Sequence, residues 1–144
     1  MSHVIKVFDS LVHSGINPEW PSKPEVDISI NAILSKLERE NSLIGACIQT
    51  SPWFDSADSN EIYIANIKSF KTSKLFIPVY TIPSATSLSW IKEKIKIAID
   101  CGFSVFKIHP RFSNLSLSIC IDIIEYLASS KFFVQVCCYP YEEY

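Results

Sequence analysis

The fourth apolar run of the chain ends in three closely spaced basic side chains. Residues 104–111 read Ser-Val-Phe-Lys-Ile-His-Pro-Arg, so Lys107 and His109 are two residues apart and Arg111 follows at the same interval. Residues two apart in a β-strand project from the same face, which places Lys107 beside His109. Arg111 can pair with a carboxylate. Lys107, His109 and Arg111 are therefore the candidate substrate-binding residues; the alternatives are a structural role for Lys107 and a solvated loop position for Arg111.

A second group of polar residues follows the first apolar run. Asp9 and His13 lie there, and they share a face if the strand continues through them. If they converge with Lys107 and His109, these side chains could bind a divalent metal and activate a bound water molecule. The alternative is that both histidines close strand ends by hydrogen-bonding to loop backbone.

The elements that must position these residues alternate along the chain. Apolar runs typical of buried strands occupy residues 4–8, 43–48, 75–80, 104–109 and 132–138. Apolar residues recur at helical spacing between them, and Gly102 ends one helix in the position where glycine commonly does. The last helix is predicted to bury Leu117, Cys120, Ile121, Ile124 and Leu127. Such alternation predicts an α/β fold with a parallel sheet whose function lies at the carboxyl ends of its strands.

Two parallel architectures fit this pattern. A TIM-type (β/α)8 barrel needs about 250 residues, so 144 residues would supply about four and a half βα units. The alternative is an open five-stranded flavodoxin-like sheet, which fits the length.

Composition excludes several classes of function. The chain is 48% apolar and carries a net charge of −2, which argues against disorder and against binding to nucleic acid. We find neither a run long enough to span a membrane nor a signal peptide. The five cysteines have no C-x-x-C spacing. We therefore expect a cytoplasmic protein with reduced thiols and no nucleic-acid or membrane partner.

Two segments resemble the amidohydrolase superfamily, and most closely its amidohydrolase-related TIM-barrel hydrolases. Residues 8–13, Phe-Asp-Ser-Leu-Val-His, are similar to the first-strand motif Asp-x-His-x-His, which supplies two metal ligands. Residues 102–112 resemble the fourth-strand segment, Gly-Phe-x-Gly-hydrophobic-Lys-hydrophobic-His-Pro-Arg. The resemblance favours the barrel and implies that residues 1–144 form a single, incomplete amidohydrolase-like domain.

The departures from the family pattern concern the metal ligands. Leu11 stands where the first histidine is expected and cannot ligate, whereas His13 matches the second. Cys137, or Cys138, falls where the family places its fifth-strand histidine, and a thiolate can bind zinc. The family's later histidine and its eighth-strand aspartate have no counterpart. The resemblance thus implies His13 and Cys137 as ligands of a divalent metal, expected to be zinc, that is weakly bound or absent.

Three hypotheses follow. The first is a metal-dependent hydrolase of the amidohydrolase type, truncated or catalytically impaired, that acts on a small carboxylate- or amide-bearing substrate. The second is a non-catalytic, degenerate barrel that binds a small molecule or a protein partner. The third is a self-standing α/β domain that shares only the packing of the family. A half barrel would leave unpaired edge strands, so we expect either a homo-oligomer or a missing C-terminal half.

Overall fold

The structure is a computed structural model, and it describes residues 5–13, 29–50, 57–84 and 87–137. Strands and helices alternate in these ranges as the sequence predicts, except that two helices stand between the last two strands. The elements, in chain order, are β1 (Val7–His13), α1 (Ile30–Arg39), β2 (Leu43–Gln49), α2 (Ala57–Ser69), β3 (Leu75–Thr81), α3 (Leu88–Cys101), β4 (Val105–Ile108), α4 (Pro110–Ser113), α5 (Leu117–Ser129) and β5 (Phe133–Val136).

All five strands form one parallel sheet in the order β1-β2-β3-β4-β5. The predicted α/β class and parallel βα repeats are confirmed. Each strand lies beside the strand that precedes it, which is the order of a barrel. A flavodoxin-like sheet has the order 2-1-3-4-5 and places β1 in its interior. The consecutive order therefore corresponds to the partial barrel.

The sheet is curled, so that its first and last strands approach each other. The side-chain Nε2 of Gln135 on β5 lies 3.5 Å from the main-chain oxygen of Ser10 on β1. In a flat sheet the two strands would be about 19 Å apart, since neighbouring strands are about 4.8 Å apart. A glutamine side chain cannot span that distance. The curl therefore produces a convex face toward the helices and a concave face inside the half barrel.

The main hydrophobic core lies between the convex face and the helices. Tyr80 and Phe106 from adjacent strands are both fully buried there, with ring centroids 6.1 Å apart. Ile91, Ile95 and Ala98 pack against them from α3 as the helical spacing predicts, and Gly102 ends that helix with a positive φ of 105°. This packing fixes the strands that carry the polar residues of the opposite face.

Strand β1 departs from the sequence prediction. It runs on to His13, beyond the predicted end at Phe8, and its register against β2 shifts between Asp9 and Val12. The shift breaks the simple alternation that would place Asp9 and His13 on one face. Within the described ranges, no helix is both long enough and apolar enough to cross a membrane.

Candidate functional site

The polarity of the concave face changes along the strands. Near the amino ends it is apolar, where Cys47, Val79 and Val105 form a small buried cluster. Closer to the carboxyl ends it becomes polar, because Lys107 on β4 lies opposite Thr81 on β3 and Gln135 on β5. Paired residues of neighbouring parallel strands share a face. The polar residues therefore converge at the edge where barrels bind their ligands.

Lys107 is the central residue of this region. Only 3% of its surface is exposed, and its Nζ donates a hydrogen bond of 2.6 Å to Oε1 of Gln49. Burial lowers the pKa of Lys107 because it disfavours the charged amine, and the neighbouring Cys137 partly opposes this effect. Buried ionisable groups whose pKa is perturbed are concentrated at functional sites, and Lys107, hydrogen-bonded to the neutral amide of Gln49, is such a group.

Gln49 and Gln135 hold Lys107 in place, and the sequence analysis did not select either of them. Gln49 is fully buried, and its Nε2 donates to Oε1 of Gln135 at 3.3 Å and to the main-chain oxygen of Ser10 at 3.5 Å. We call Ser10, Gln49, Lys107 and Gln135 the amide network. It joins four strands, which also explains how the curl is maintained. A signal was available, since Gln135 interrupts the apolar residues of β5 and Gln49 ends the apolar strand β2.

A second set of hydrogen bonds fixes the carboxyl edge of β3. The main-chain N–H of Thr81 donates to Oγ1 of Thr50 at 2.9 Å, and Oγ1 of Thr81 donates to the main-chain oxygen of Thr50 at 2.8 Å. Oγ of Ser113, at the end of α4, donates to the main-chain oxygen of Ile82 at 2.6 Å. All three side chains are buried. These bonds hold the backbone around Lys107 in one arrangement.

The structure brings two of the three predicted substrate-binding residues together. Lys107 is in β4 and His109 directly follows it, and both are buried. Arg111 lies in the short helix α4, which the sequence analysis did not predict and which begins at Pro110. Because a helix replaces the strand at Pro110, side chains no longer alternate between two faces there. Arg111 therefore does not share the strand face of Lys107 and His109. The side chain of Arg111 lies outside the described residues.

The predicted metal ligands remain predictions. The backbone of His13 lies opposite Gln49 at the carboxyl end of β1, but its side chain is outside the described residues, as is Cys138. Cys137 follows β5 and is half-buried near Lys107. Oδ1 of Asp9 accepts a hydrogen bond from the main-chain N–H of Leu11 at 2.9 Å. In the part of the chain that the structure describes, no three His, Cys, Asp or Glu side chains form a group that could hold a metal.

Comparison of the chain with protein-family models, with curated proteins and with solved structures finds no match. The similarity to the amidohydrolase superfamily therefore rests on the two sequence segments alone. What the chain does must be inferred from the residues at the carboxyl edge of its sheet.

Proposed function

We propose that this chain is an amidohydrolase-like partial barrel that binds a small carboxylate- or amide-bearing molecule at the carboxyl edge of its sheet. The observation that carries the proposal is the buried Lys107, which is held by the neutral amide of Gln49. Lys107 and His109 are the residues expected to contact the ligand.

The chemistry of Lys107 favours an anionic ligand. An ammonium group taken out of water is stabilised by an opposite charge, and Gln49 supplies only a dipole. A carboxylate bound beside Nζ would supply that charge and would return the pKa of Lys107 toward its ordinary value. The amide of the half-buried Gln135 can in turn recognise an amide of the ligand, because it carries both donors and an acceptor.

Titration with a panel of small carboxylates and their matched amides tests this proposal. We expect acetate, succinate or benzoate to shift the NMR signals of residues around Lys107. The substitution Lys107→Met should weaken binding by at least about tenfold, or about 1.4 kcal/mol. The matched control is Lys96→Met on the exposed surface of α3. Equal affinity of the two variants and the unmodified protein would contradict a role for Lys107.

A metal-dependent hydrolase is the second candidate, favoured by the position of two residues. The backbone of His13 and the thiol of Cys137 both lie at the carboxyl edge, on strands that the amide network brings together. Imidazole and thiolate suit zinc, which would polarise the scissile bond and activate a water molecule. Two donors fall short of the three or four protein ligands of a stable zinc site, so weak binding is expected.

Restoration of the missing ligand tests the second candidate. Leu11 is 53% exposed on β1 and stands where the resemblance expects a histidine. We expect Leu11→His to raise the zinc content per chain after mild dialysis, measured by elemental analysis. The control is Leu75→His, since Leu75 is also exposed but lies at the amino end of β3. An equal zinc content in both variants would argue against the resemblance.

The proposal also covers the oligomeric state of the protein and its location in the cell. Both outer strands carry exposed apolar residues, among them Leu11 on β1 and Phe133 on β5, and exposed apolar edges favour association. We therefore propose a homo-oligomer, or a further part of the barrel that covers these edges. Cys47, Cys120 and Cys137 are free thiols, which supports a cytoplasmic location. A monomer whose sedimentation is independent of concentration would contradict the oligomer.

A further inference from the structure

The exposed apolar side chains of this chain are concentrated at the two open ends of the sheet. Among the described residues, three exposed large apolar side chains lie elsewhere, namely Ile44, Ile62 and Leu75. The other eight lie on β1 or just before it, on α5 and on β5: Ile5, Val7, Phe8, Leu11, Leu117, Ile121, Phe133 and Val136. Scattered exposed apolar residues are ordinary, but a concentration of them marks an interaction surface.

The first and last strands each have an unpaired edge. Within the described ranges, β1 pairs with β2 alone and β5 pairs with β4 alone. The contact between Gln135 and Ser10 is made by a side chain and does not pair the two strands. An unpaired edge is a template for a further strand. Because the sheet is parallel, a strand that runs in the same direction would continue it at either end.

The first helix has an apolar flank on its open side. Glu38 of α1 accepts a hydrogen bond from Thr72, which lies between α2 and β3, so this side of α1 faces the next unit of the chain. Ile33 and Leu37, both half-buried, lie on the other side of the fully buried Leu34. The apolar flank of α1 therefore faces away from α2.

The last helix has a matching flank. Nζ of Lys92 on α3 lies 5.2 Å from the centre of the Tyr126 ring on α5, so Tyr126 marks the side of α5 that faces α3. Leu117 and Ile121 lie on the other side of the fully buried Ile123 and are exposed. The apolar flank of α5 therefore faces away from α3.

Each open end of the chain is the neighbour that the other end lacks. Helices pack in chain order, α1 on α2, α2 on α3 and α3 on α5. A second copy can continue this order, because its β1 can extend the sheet beside β5 while its α1 packs beside α5. A two-fold axis parallel to the strands makes this contact twice and covers both open ends, and two-fold dimers are the commonest oligomers.

We propose that two copies of this chain form a parallel dimer in which β1 and α1 of each copy pack against β5 and α5 of the other. The inference rests on the homo-oligomer proposed above and identifies its contact surface. At roughly 200 Å² for a large apolar residue, the eight exposed fractions of 39–78% correspond to about 900 Å². Each partner of a stable interface buries about 800 Å². The two carboxyl edges then open at the same end of the dimer.

Hydrogen exchange at two protein concentrations locates the interface in the unmodified protein. Sedimentation first identifies a concentration that gives dimer and a dilution that gives monomer. We expect amide protons of residues 7–13 and 133–136 to exchange at least about fivefold more slowly in the dimer, because their outer N–H groups become paired. Residues 57–69 of α2 should exchange at the same rate in both. Protection confined to other segments, or a monomer at every concentration, would overturn the proposal.

Two charged variants test the apolar flank of α5. Leu117→Glu places a carboxylate in the contact and should raise the Kd of the dimer at least about tenfold, because the buried charge has no partner. Ile62→Glu adds the same charge at an exposed position of α2, away from both open ends, and should leave the Kd unchanged. Equal Kd values in the two variants, both shown to be folded by circular dichroism, would contradict the proposed contact.

Acetate binding separates this inference from the ligand site proposed above. A dimer that binds no acetate refutes only the binding role of Lys107. A protein that binds acetate but stays monomeric refutes only the dimer.

Discussion

Each end of the strands has a lysine whose ammonium nitrogen is hydrogen-bonded, and the two lysines have different partners. Lys74 lies just before β3 at the amino edge, where its Nζ donates to the main-chain oxygens of Leu37, Glu38 and Glu40 at 2.6–2.8 Å. Lys107 lies near the carboxyl edge and donates to one neutral side chain. The first lysine satisfies the carbonyls at the end of α1, whereas the second is buried in a polar network inside the curl.

The comparison indicates that the residues that stabilise this fold and the residues suited to chemistry lie at opposite ends of the strands. Unsatisfied carbonyls at the end of a helix attract a cation, so Lys74 stabilises the chain as an ammonium. Burial of Lys107 beside the amide of Gln49 lowers the pKa of its amine, a perturbation that is frequent at functional sites. In barrels generally, the amino edge of the sheet serves stability and the carboxyl edge serves function. Substitutions at the two ends of the strands test whether that division holds here.

The largest expected effect lies at the amino half of the sheet. A Cβ added at Gly45 would lie 2.3 Å from the main-chain oxygen of Leu75 and 2.8 Å from the ring of Phe8. Because a backbone atom cannot yield easily, Gly45→Ala should lower the free energy of unfolding by about 3 kcal/mol. Urea denaturation measures this value, and Ser42→Ala on the adjacent exposed turn is the control. A loss below about 1 kcal/mol would show that the strands can separate locally.

The next effect tests the role of Lys74. Lys74→Met keeps most of the side-chain volume but leaves three carbonyls without their cation, so the free energy of unfolding should fall by about 2 kcal/mol. The same denaturation measurement applies. Lys36→Met, on the exposed side of α1, removes an equal charge and should change stability little. If the two variants behave alike, the contacts of Lys74 contribute nothing specific.

A smaller effect is expected at the carboxyl edge. Thr81→Val preserves the shape of the side chain but removes the hydroxyl that donates to Thr50, which should cost about 1 kcal/mol. Thr81→Ser retains the hydroxyl and should keep this bond. Loss of carboxylate binding in the valine variant, with binding preserved in the serine variant, would show that the bond also positions the site. Equal binding in both would limit its role to stability.

The smallest effect on the free energy of unfolding at neutral pH is expected at Lys107. The informative quantity there is how that free energy changes with pH. The folded pKa of Lys107 lies below its ordinary value of 10.5, so the folded state binds fewer protons than the unfolded state between the two values. The stability of the unmodified protein relative to Lys107→Met should therefore rise as pH increases through that window. Below it, the buried ammonium is a constant penalty. Denaturation of both proteins from pH 7 to pH 10.5 measures the difference, and parallel curves would contradict it.

Local patterns in the sequence predicted where the helices and strands lie better than they predicted which face of each one is buried. The helix that ends at Gly102 is confirmed, and Lys107 and His109 lie at the end of β4, because both features depend on short-range geometry. The substrate-binding role of these two residues stays a prediction. The inward face predicted for α5 is partly wrong. Leu117 and Ile121 are exposed, at 77% and 47%, whereas Ile123 is fully buried. When a helix is apolar on several sides, more than one set of its residues has the i, i+3, i+4 spacing of a buried face. Contact with the sheet determines which set is buried.

The amide network could not be predicted in the same way. Gln49 and Gln135 are separated by 86 residues, and their contact requires the sheet to curl. A polar residue inside an apolar strand signals a buried partner but does not identify it. The role of β1 also depends on tertiary structure, since the register shift between Asp9 and Val12 determines which of its residues face the interior.

The sequence by itself determined the alternation of strands and helices, the parallel sheet, and the placement of Lys107 and His109 at a strand end. These features follow from apolar periodicity and from local geometry, which short segments contain in full. Only the tertiary structure decided the consecutive strand order, the curl and the burial of Lys107 beside Gln49. Those features depend on contacts between residues far apart in the chain, and burial in that arrangement is what lowers the pKa of the amine.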